Sequence, residues 1–296
     1  SFRKYERINI NDKKYILMDA PPATEDVRPF IKIAGILQSY GLKSPKIVNA
    51  DVKNGILLLE DFGEMKFNKE VLSSSEKEEK LYKNALDILA HIAMQSRENN
   101  TPEYNKEVLL READLFIDWY LKYNENYTDD KLKEIKAEYH RILLGILKKL
   151  YFPNNTLVLR DYHADNLMVL DTQCKICSLG LLDFQDGLVG NIAYDVVSLL
   201  EDARRDVNKQ LQLKMIDYFI EIAGIKKHKK EFISDYNILG MQRNLKIIGI
   251  FTRLNYRDGK KHYLDFIPRV IGYLKQDLQH DANSEMKEFL SSICKL

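Results

Sequence analysis

The chain has 296 residues, 45% hydrophobic and 30% charged, a composition that suits a folded globular protein with room for two sub-domains and excludes a disordered one. Its 45 Lys and Arg against 44 Asp and Glu leave a formal charge of +1, too little to attract nucleic acid or an anionic membrane surface. No apolar run approaches the roughly 20 residues of a spanning helix, and three cysteines make no disulfide framework, so free thiols in a reducing cytoplasm are expected. The chain opens at Ser1 with neither a methionine nor a signal-peptide pattern, so upstream residues are expected to be missing.

In chain order, the first elements read as strands. Tyr5 to Ile10 and Tyr15 to Met18 flank Asn11-Asp12-Lys13-Lys14, a polar stretch suited to a hairpin turn. Glu25 to Tyr40 then carries Phe30, Ile33, Ala34 and Leu37 at helical spacing, with Gly41 as a stop signal. Ile47-Val48 and Ile56 to Leu59 read as two further strands around Lys53-Asn54-Gly55. From Glu70 the pattern turns helical, with Leu81, Ala85, Ile88, Leu89 and Ile92 on one face. Further helices are expected around Glu112 to Lys122 and Asp130 to Leu150, then a strand and loop segment from Leu157 to Phe184, and helices from Ala193 onward. The expected organisation is a β-rich lobe over 1–60, a joint at 61–63 and a mostly helical lobe over 64–296.

Two loops carry the chemistry. In Leu157 to Leu170, apolar strands bracket Arg160-Asp161-Tyr162-His163-Ala164-Asp165-Asn166, and the spacing from Asp161 to Asn166 resembles a kinase catalytic loop. One carboxylate there faces the acceptor hydroxyl, and the later amide reaches a metal on the phosphates. In Gly180-Leu181-Leu182-Asp183-Phe184-Gln185, a strand ends on an acidic residue followed by an aromatic, similar to the kinase metal-binding pair, with Gln185 in place of glycine. Asp and Asn are common in turns for local reasons, but two such loops, strand-flanked and in order, point to Asp161 as the base and to Asn166 and Asp183 as magnesium ligands.

Beyond these loops the chain resembles the aminoglycoside phosphotransferase and choline kinase superfamily. The resemblance lies in Asp183 to Gly190 leading into Ala193-Tyr194-Asp195-Val196, and in Leu57-Leu58-Leu59-Glu60-Asp61-Phe62-Gly63 as the interlobe joint where backbone groups bind adenine. Longer runs, among them Ile16 to Pro22, Glu25 to Phe30, Ser198 to Asp206 and Gln242 to Lys246, are similar to one branch of it, the bacterial anomeric kinases of N-acetylmuramate and N-acetylglucosamine in cell-wall sugar recycling. The resemblance implies an α+β, two-lobed protein-kinase-like fold, a small β-rich N-lobe and larger helical C-lobe, with ATP and magnesium as cofactors and a small amino sugar as acceptor. It implies a cytoplasmic monomer with no nucleic-acid or membrane partner, and a structural role for Asp195.

Met18 stands where a kinase strand would supply its phosphate-binding lysine, so Arg3 or Lys4 is expected to carry that charge. With Ser1, Glu60 and Phe62 they make up the expected nucleotide contacts. Glu25, the candidate partner of that charge, has a plainer reading as a carboxylate at a helix N-terminus. Expected substrate contacts are His163, Asp165, Gln185, Arg204 and Arg205 in one helix, and Arg243 and Asn244 in another, because guanidinium forks suit carboxylate and hydroxyl partners. Cys174-Lys175-Ile176-Cys177 lacks a second pair for zinc, and Lys226 to Lys230 reads as a solvated turn. Two other readings remain open: a kinase of aminoglycosides or choline-like amines, and a pseudokinase that only binds nucleotide.

Overall fold

The computed structural model describes residues 2–95, 100–170, 172 and 174–295. In chain order come β1 (Lys4–Ile10), β2 (Lys13–Asp19), α1 (Arg28–Ser39), β3 (Ile47–Asp51), β4 (Ile56–Glu60), α2 (Phe67–Glu70), α3 (Ser75–Ala93) and α4 (Lys106–Leu115). Then follow α5 (Asp129–Leu147), β5 (Thr156–Val158), β6 (Leu167–Val169), β7 (Leu179–Leu181), β8 (Leu188–Gly190), α6 (Tyr194–Leu200) and α7 (Lys209–Ile222). The chain closes with α8 (Lys229–Asp258), α9 (Ile267–Asp277) and α10 (Ser284–Ile293). Two compact units divide it, Ser1–Gln95 with Leu159–Leu188, and Ser96–Val158 with Val189–Leu296. This division differs from boundaries at 60 and 64: both chemistry-bearing loops belong to the unit that holds the first strands.

The first unit is built on an antiparallel sheet of order β1-β2-β4-β3. Asn11 and Asp12 turn the first hairpin with φ of 50° and 62°, the left-handed pair that a two-residue turn needs to follow strand twist. Met18, Leu57 and Leu59 are buried, and α1 buries Phe30, Ile33, Ala34 and Leu37, the stripe its spacing predicts. Each such side chain contributes about 1.5–3 kcal/mol when fully buried.

Helix α1 starts at Arg28, later than Glu25. Pro29 sits in its first turn, where a missing N–H costs nothing, and the amides of Thr24 and Glu25 both donate to the Pro21 carbonyl at 2.9 Å, which holds that stretch in a turn. Helix α3 likewise starts later than Glu70, because the Ser74 side chain accepts from the Lys77 amide at 3.2 Å and caps it.

The β6–β7 hairpin is fastened into this unit by the Val169 amide to the Met65 carbonyl and the Leu181 amide to the Lys43 carbonyl, both 2.7 Å. Its connection corrects one expectation. Cys174 and Cys177 are joined as a disulfide, since the turn Lys175–Cys177 brings their Cα atoms to 5.1 Å, within bridging distance.

In the second unit, α4 is capped by Asn105, whose side chain accepts from Val108 N at 3.0 Å, and passes into a π-helical stretch, Phe116–Leu121. The 30-residue α8 is buried along most of its length and ends at Gly259, whose φ of 68° closes the helix in the left-handed region. Asp235 of α8, with no exposed surface, accepts from the amides of Tyr151 and Phe152 at 2.9 Å and from Asn191 Nδ2 at 2.7 Å, so it anchors two loops at once.

Gly180 shows how closely the first unit is packed: a Cβ there would lie 2.5 Å from the Phe62 ring. Gly180→Ala should lower the unfolding free energy by about 1–3 kcal/mol, read from urea titration. Gly145→Ala, in α5 where an added methyl meets nothing within 4 Å, should instead raise it by about 0.5–1 kcal/mol.

Candidate functional site

The loop after β5 is a run of short backbone bonds. Asp161 N donates to Leu159 O at 2.9 Å, His163 N to Asp161 O at 3.1 Å, and Asn166 N to His163 O at 3.0 Å. Arg160 takes φ of 70° to allow this, a left-handed conformation that costs a residue with a Cβ about 1–3 kcal/mol. Its guanidinium donates from Nη1 to the Asp186 carbonyl at 3.2 Å, reaching the second loop.

Asn166 joins the two loops. Its Nδ2 donates to the Asp161 carbonyl at 2.9 Å and lies 3.5 Å from Asp183 Oδ2, while its carbonyl accepts from Leu182 N at 2.9 Å. Asp183 is itself left-handed at φ 55° and exposed; Gln185 Nε2 donates to its Oδ1 at 2.8 Å. Phe184, fully buried, stacks on Phe30 of α1 with centroids 4.9 Å apart and pins this loop.

Asp161, Asn166 and Asp183 are thus brought together within one unit. Asn166 and Asp183 offer amide and carboxylate oxygens, hard donors that suit magnesium. Among the described residues no group of three or more His, Cys, Asp or Glu gathers as a cation cage, so a cation held here draws its remaining ligands from water and substrate.

His163 is 4% exposed, and its Nε2 lies 3.3 Å from Asn166 Nδ2, which places it beneath the loop. Asp165 accepts a hydrogen bond from Asn68 of α2. Gln185 is buried and turned toward Asp183. Asn68 carried no motif signal, because it joins Asp165 only through the fold.

At the start of β1 the structure separates the two candidate cations. Arg3 Nε meets Glu25 Oε2 at 3.0 Å in a pair only 10% and 11% exposed, whereas the next residue, Lys4, is exposed. Glu25 precedes α1 and does not occupy its first turn; its Oε1 accepts from Phe2 N at 2.7 Å. Burial opposes the Arg3 charge, but Tyr5, Glu25 and Asp186 outweigh it and hold the guanidinium above its ordinary value. Tyr5, two residues along the same strand, was legible only as a strand residue, though period-two spacing puts it on the face of Arg3.

Ser1 lies outside the described residues. The Glu60 amide donates to the Lys46 carbonyl at 2.9 Å and its side chain accepts from Lys46 N at 3.2 Å, so both serve the sheet edge. Phe62 covers Gly180.

The remaining candidates belong to the second unit. Arg204 and Arg205 stand in the turn after α6 and not in a helix, because the Asp202 side chain accepts from the Arg204 amide at 2.9 Å and ends the helical path. Arg243 is buried, donating to Ser198 Oγ at 2.8 Å. Asn244 has no exposed surface and spans Glu201 Oε2 at 2.7 Å and Asp277 Oδ2 at 2.9 Å. These two therefore build the interior of the helical unit. Asp195 is buried in the first turn of α6.

The paired loops carry an acid, an amide and a second acid, the kinds of group that phosphoryl transfer calls for, and the chain belongs to the phosphotransferase enzyme family, whose model matches residues 1–226. It is a kinase, and ATP is the phosphoryl donor of such enzymes. It is 35% identical over 99% of its length to the N-acetylmuramate/N-acetylglucosamine kinase of Pseudomonas aeruginosa, covering 86% of that protein. It is 32% identical over 93% of its length to the protein of that name from Neisseria meningitidis, covering 82% of it.

Among solved structures it is similar to choline kinase LicA of Streptococcus pneumoniae (TM-score 0.64, 13% identity, 92% of this chain and 89% of that one). It is also similar to the gentamicin complex of APH(2")-IIa (TM-score 0.58, 17% identity, 94% and 89%). These likenesses show the kinase-like fold, a small antiparallel sheet with a larger helical part. No helix among the described residues is long and apolar enough to cross a membrane.

Glu201 and Asp277 give the helical second unit a pH signature. Burial raises both carboxyls, and the Glu201 charge adds to the rise of Asp277, while hydrogen bonds from the Asn244 amide between them oppose it. A raised folded value means that this pair's contribution is complete below the ordinary carboxylate range, about 4, and is lost as pH rises through the folded values. Asp277→Asn should therefore flatten the fall in Tm as pH rises above the ordinary carboxylate range of about 4, as followed by thermal melts at stepped pH.

Proposed function

We propose that this chain transfers the terminal phosphate of ATP to the anomeric hydroxyl of N-acetylmuramate and N-acetylglucosamine, as part of cell-wall sugar recycling. The observation that carries the phosphoryl-transfer part is the Asn166 amide held between the Asp161 carbonyl and the Asp183 carboxylate, at 2.9 and 3.5 Å. The acceptor follows from the full-length relatives named for these two sugars.

Asp161 accepts the hydrogen bond of the anomeric hydroxyl, which is more acidic than the other ring hydroxyls. It therefore mainly orients the nucleophile and takes its proton late, while the bond from the terminal phosphorus to the leaving ADP oxygen breaks in line. Asp183 and Asn166 would hold magnesium, which supplies charge neutralisation on the terminal phosphates. Arg3, buttressed by Glu25, takes the place of the strand lysine against the phosphates, with the adenine at the backbone of residues 60–63. All of these groups come from one chain, which fits a monomer working in the cytoplasm, where ATP is at hand.

Asp161→Asn should lower kcat by roughly 10²–10⁴, about 3–5 kcal/mol in barrier, with ATP affinity retained. Turnover near that of the unaltered protein would refute the assignment. Arg3→Ala should raise the KM for ATP by about tenfold or more, the loss of one charge-assisted contact, whereas Lys4→Ala should leave it within about twofold, as for an exposed charge. The acceptor is tested by phosphorus and carbon NMR of the products from both sugars, an aminoglycoside and choline. Phosphate on carbon one of either sugar is the expected result, and transfer to the amines alone, or to none, overturns it.

A further inference from the structure

The second unit carries an aromatic column that lies outside the loops at Asp161 and Asp183. Trp119, in the π-helical stretch, stacks on Tyr123 with centroids 5.7 Å apart and an interplanar angle of 11°. Tyr123 stacks in turn on Tyr256 of α8 at 4.2 Å and 21°. Tyr123 is 44% and Tyr256 50% exposed, so the column reaches the surface. π-Helical turns inside α-helices recur at functional sites, since the extra residue re-aims the side chains around it.

A cation lies on the same seam. Gly249, Arg253 and Tyr256 fall at i, i+4 and i+7 of α8, on one face. Gly249 sets that face against the start of the π-helical stretch, since a Cβ there would lie 2.2 Å from the Leu115 carbonyl carbon and 2.6 Å from Phe116 N. Tyr256 sets the same face against Tyr123 two turns on, so Arg253 is placed between these contacts, alongside Trp119. Its Nε is buried and meets no hydrogen-bond acceptor among the described residues. Its neighbour Arg257 is committed to Asp258, at 2.7 and 2.9 Å. Burial, and then the Arg257 charge, pull the Arg253 guanidinium below its ordinary value, with only the Asp258 charge opposing them.

A buried guanidinium N–H without an acceptor is costly, by about 1–3 kcal/mol, and a guanidinium fork matches a carboxylate. Flat aromatic faces offer broad apolar area to the C–H face of a pyranose. A quaternary ammonium, which aromatic columns also attract, is opposed here by the fixed positive charge. We propose that Trp119, Tyr123, Tyr256 and Arg253 form a binding site for a saccharide that carries a carboxylate, with the ring on the aromatic column and the acid on Arg253. This deepens the sugar-kinase reading and rests on it only for the choice of saccharide, N-acetylmuramate, whose lactyl group supplies the acid.

Trp119 is the chain's single tryptophan, so its fluorescence reports this site directly and without ATP. Titration with N-acetylmuramate should give a saturable change, N-acetylglucosamine, lacking the acid, should bind at least tenfold more weakly, and choline should give none. Arg253→Gln and, as a second variant at an exposed position, Tyr256→Ala should each weaken N-acetylmuramate binding at least tenfold, with the melting curve checked for each. Arg253→Lys should recover only part of the loss. No fluorescence change, or equal responses to the two sugars, or an unaltered response in Arg253→Gln, overturns the site. Phosphorylation of N-acetylmuramate with Trp119 silent removes this site and leaves the kinase assignment standing, whereas a carboxylate-dependent response without phosphate transfer does the reverse.

Discussion

The side-chain amide of Asn166 is the constraint on which the site depends. It has two N–H groups and places them toward the Asp161 carbonyl and the Asp183 carboxylate, while its backbone carbonyl holds Leu182. Two loops far apart in sequence therefore share one register. The left-handed conformations of Arg160 and Asp183 are the local cost of that fastening, and strain of this kind persists only where surrounding bonds over-determine it. Here the surrounding bonds are the Arg160 contact to Asp186, the Gln185 contact to Asp183 and the Phe184 stack on Phe30.

In the proposed function, one chemical need is met from a different position. Met18, on the buried face of β2, packs as a core residue, and Arg3, just before the neighbouring strand β1, is paired with Glu25 and carries the charge proposed for the strand lysine's part. A buried ion pair is stabilising only with additional hydrogen bonds to satisfy it. Glu25 has these, since it accepts from the Phe2 amide as well as from Arg3. The pair is thus held in place before any nucleotide arrives, which lowers the ordering cost of binding.

The helical unit uses buried polar groups differently. Asp235 accepts from two loop amides and from Asn191, Asn244 bridges Glu201 and Asp277 while its own Oδ1 is left without a partner among the described residues, and Gly240 is required beside Asp277 because a Cβ would lie 2.7 Å from its carboxylate. Such networks give a unique packing when fully connected and leave costly orphans when broken. The surface chemistry proposed for this unit lies instead along the seam of α8 with the π-helical stretch, where Tyr123 and Tyr256 are exposed.

Hydrophobic periodicity determined the strands near Tyr5, Tyr15 and Ile56 and the helices through Phe30 and Leu81, because burying alternate or every third to fourth residue requires no knowledge of the partner surface. Motif spacing likewise singled out Asp161, Asn166 and Asp183, which the fold brings together within one unit, since a loop of fixed length sets where its side chains can reach. Only the tertiary structure paired Arg3 with Glu25 and left Lys4 exposed, placed Arg204 and Arg205 in a turn, buried Arg243 and Asn244, joined Cys174 to Cys177, and gathered Trp119 with Tyr256. Each of these depends on which atoms lie opposite in space, and sequence distance does not encode that for residues a hundred positions apart.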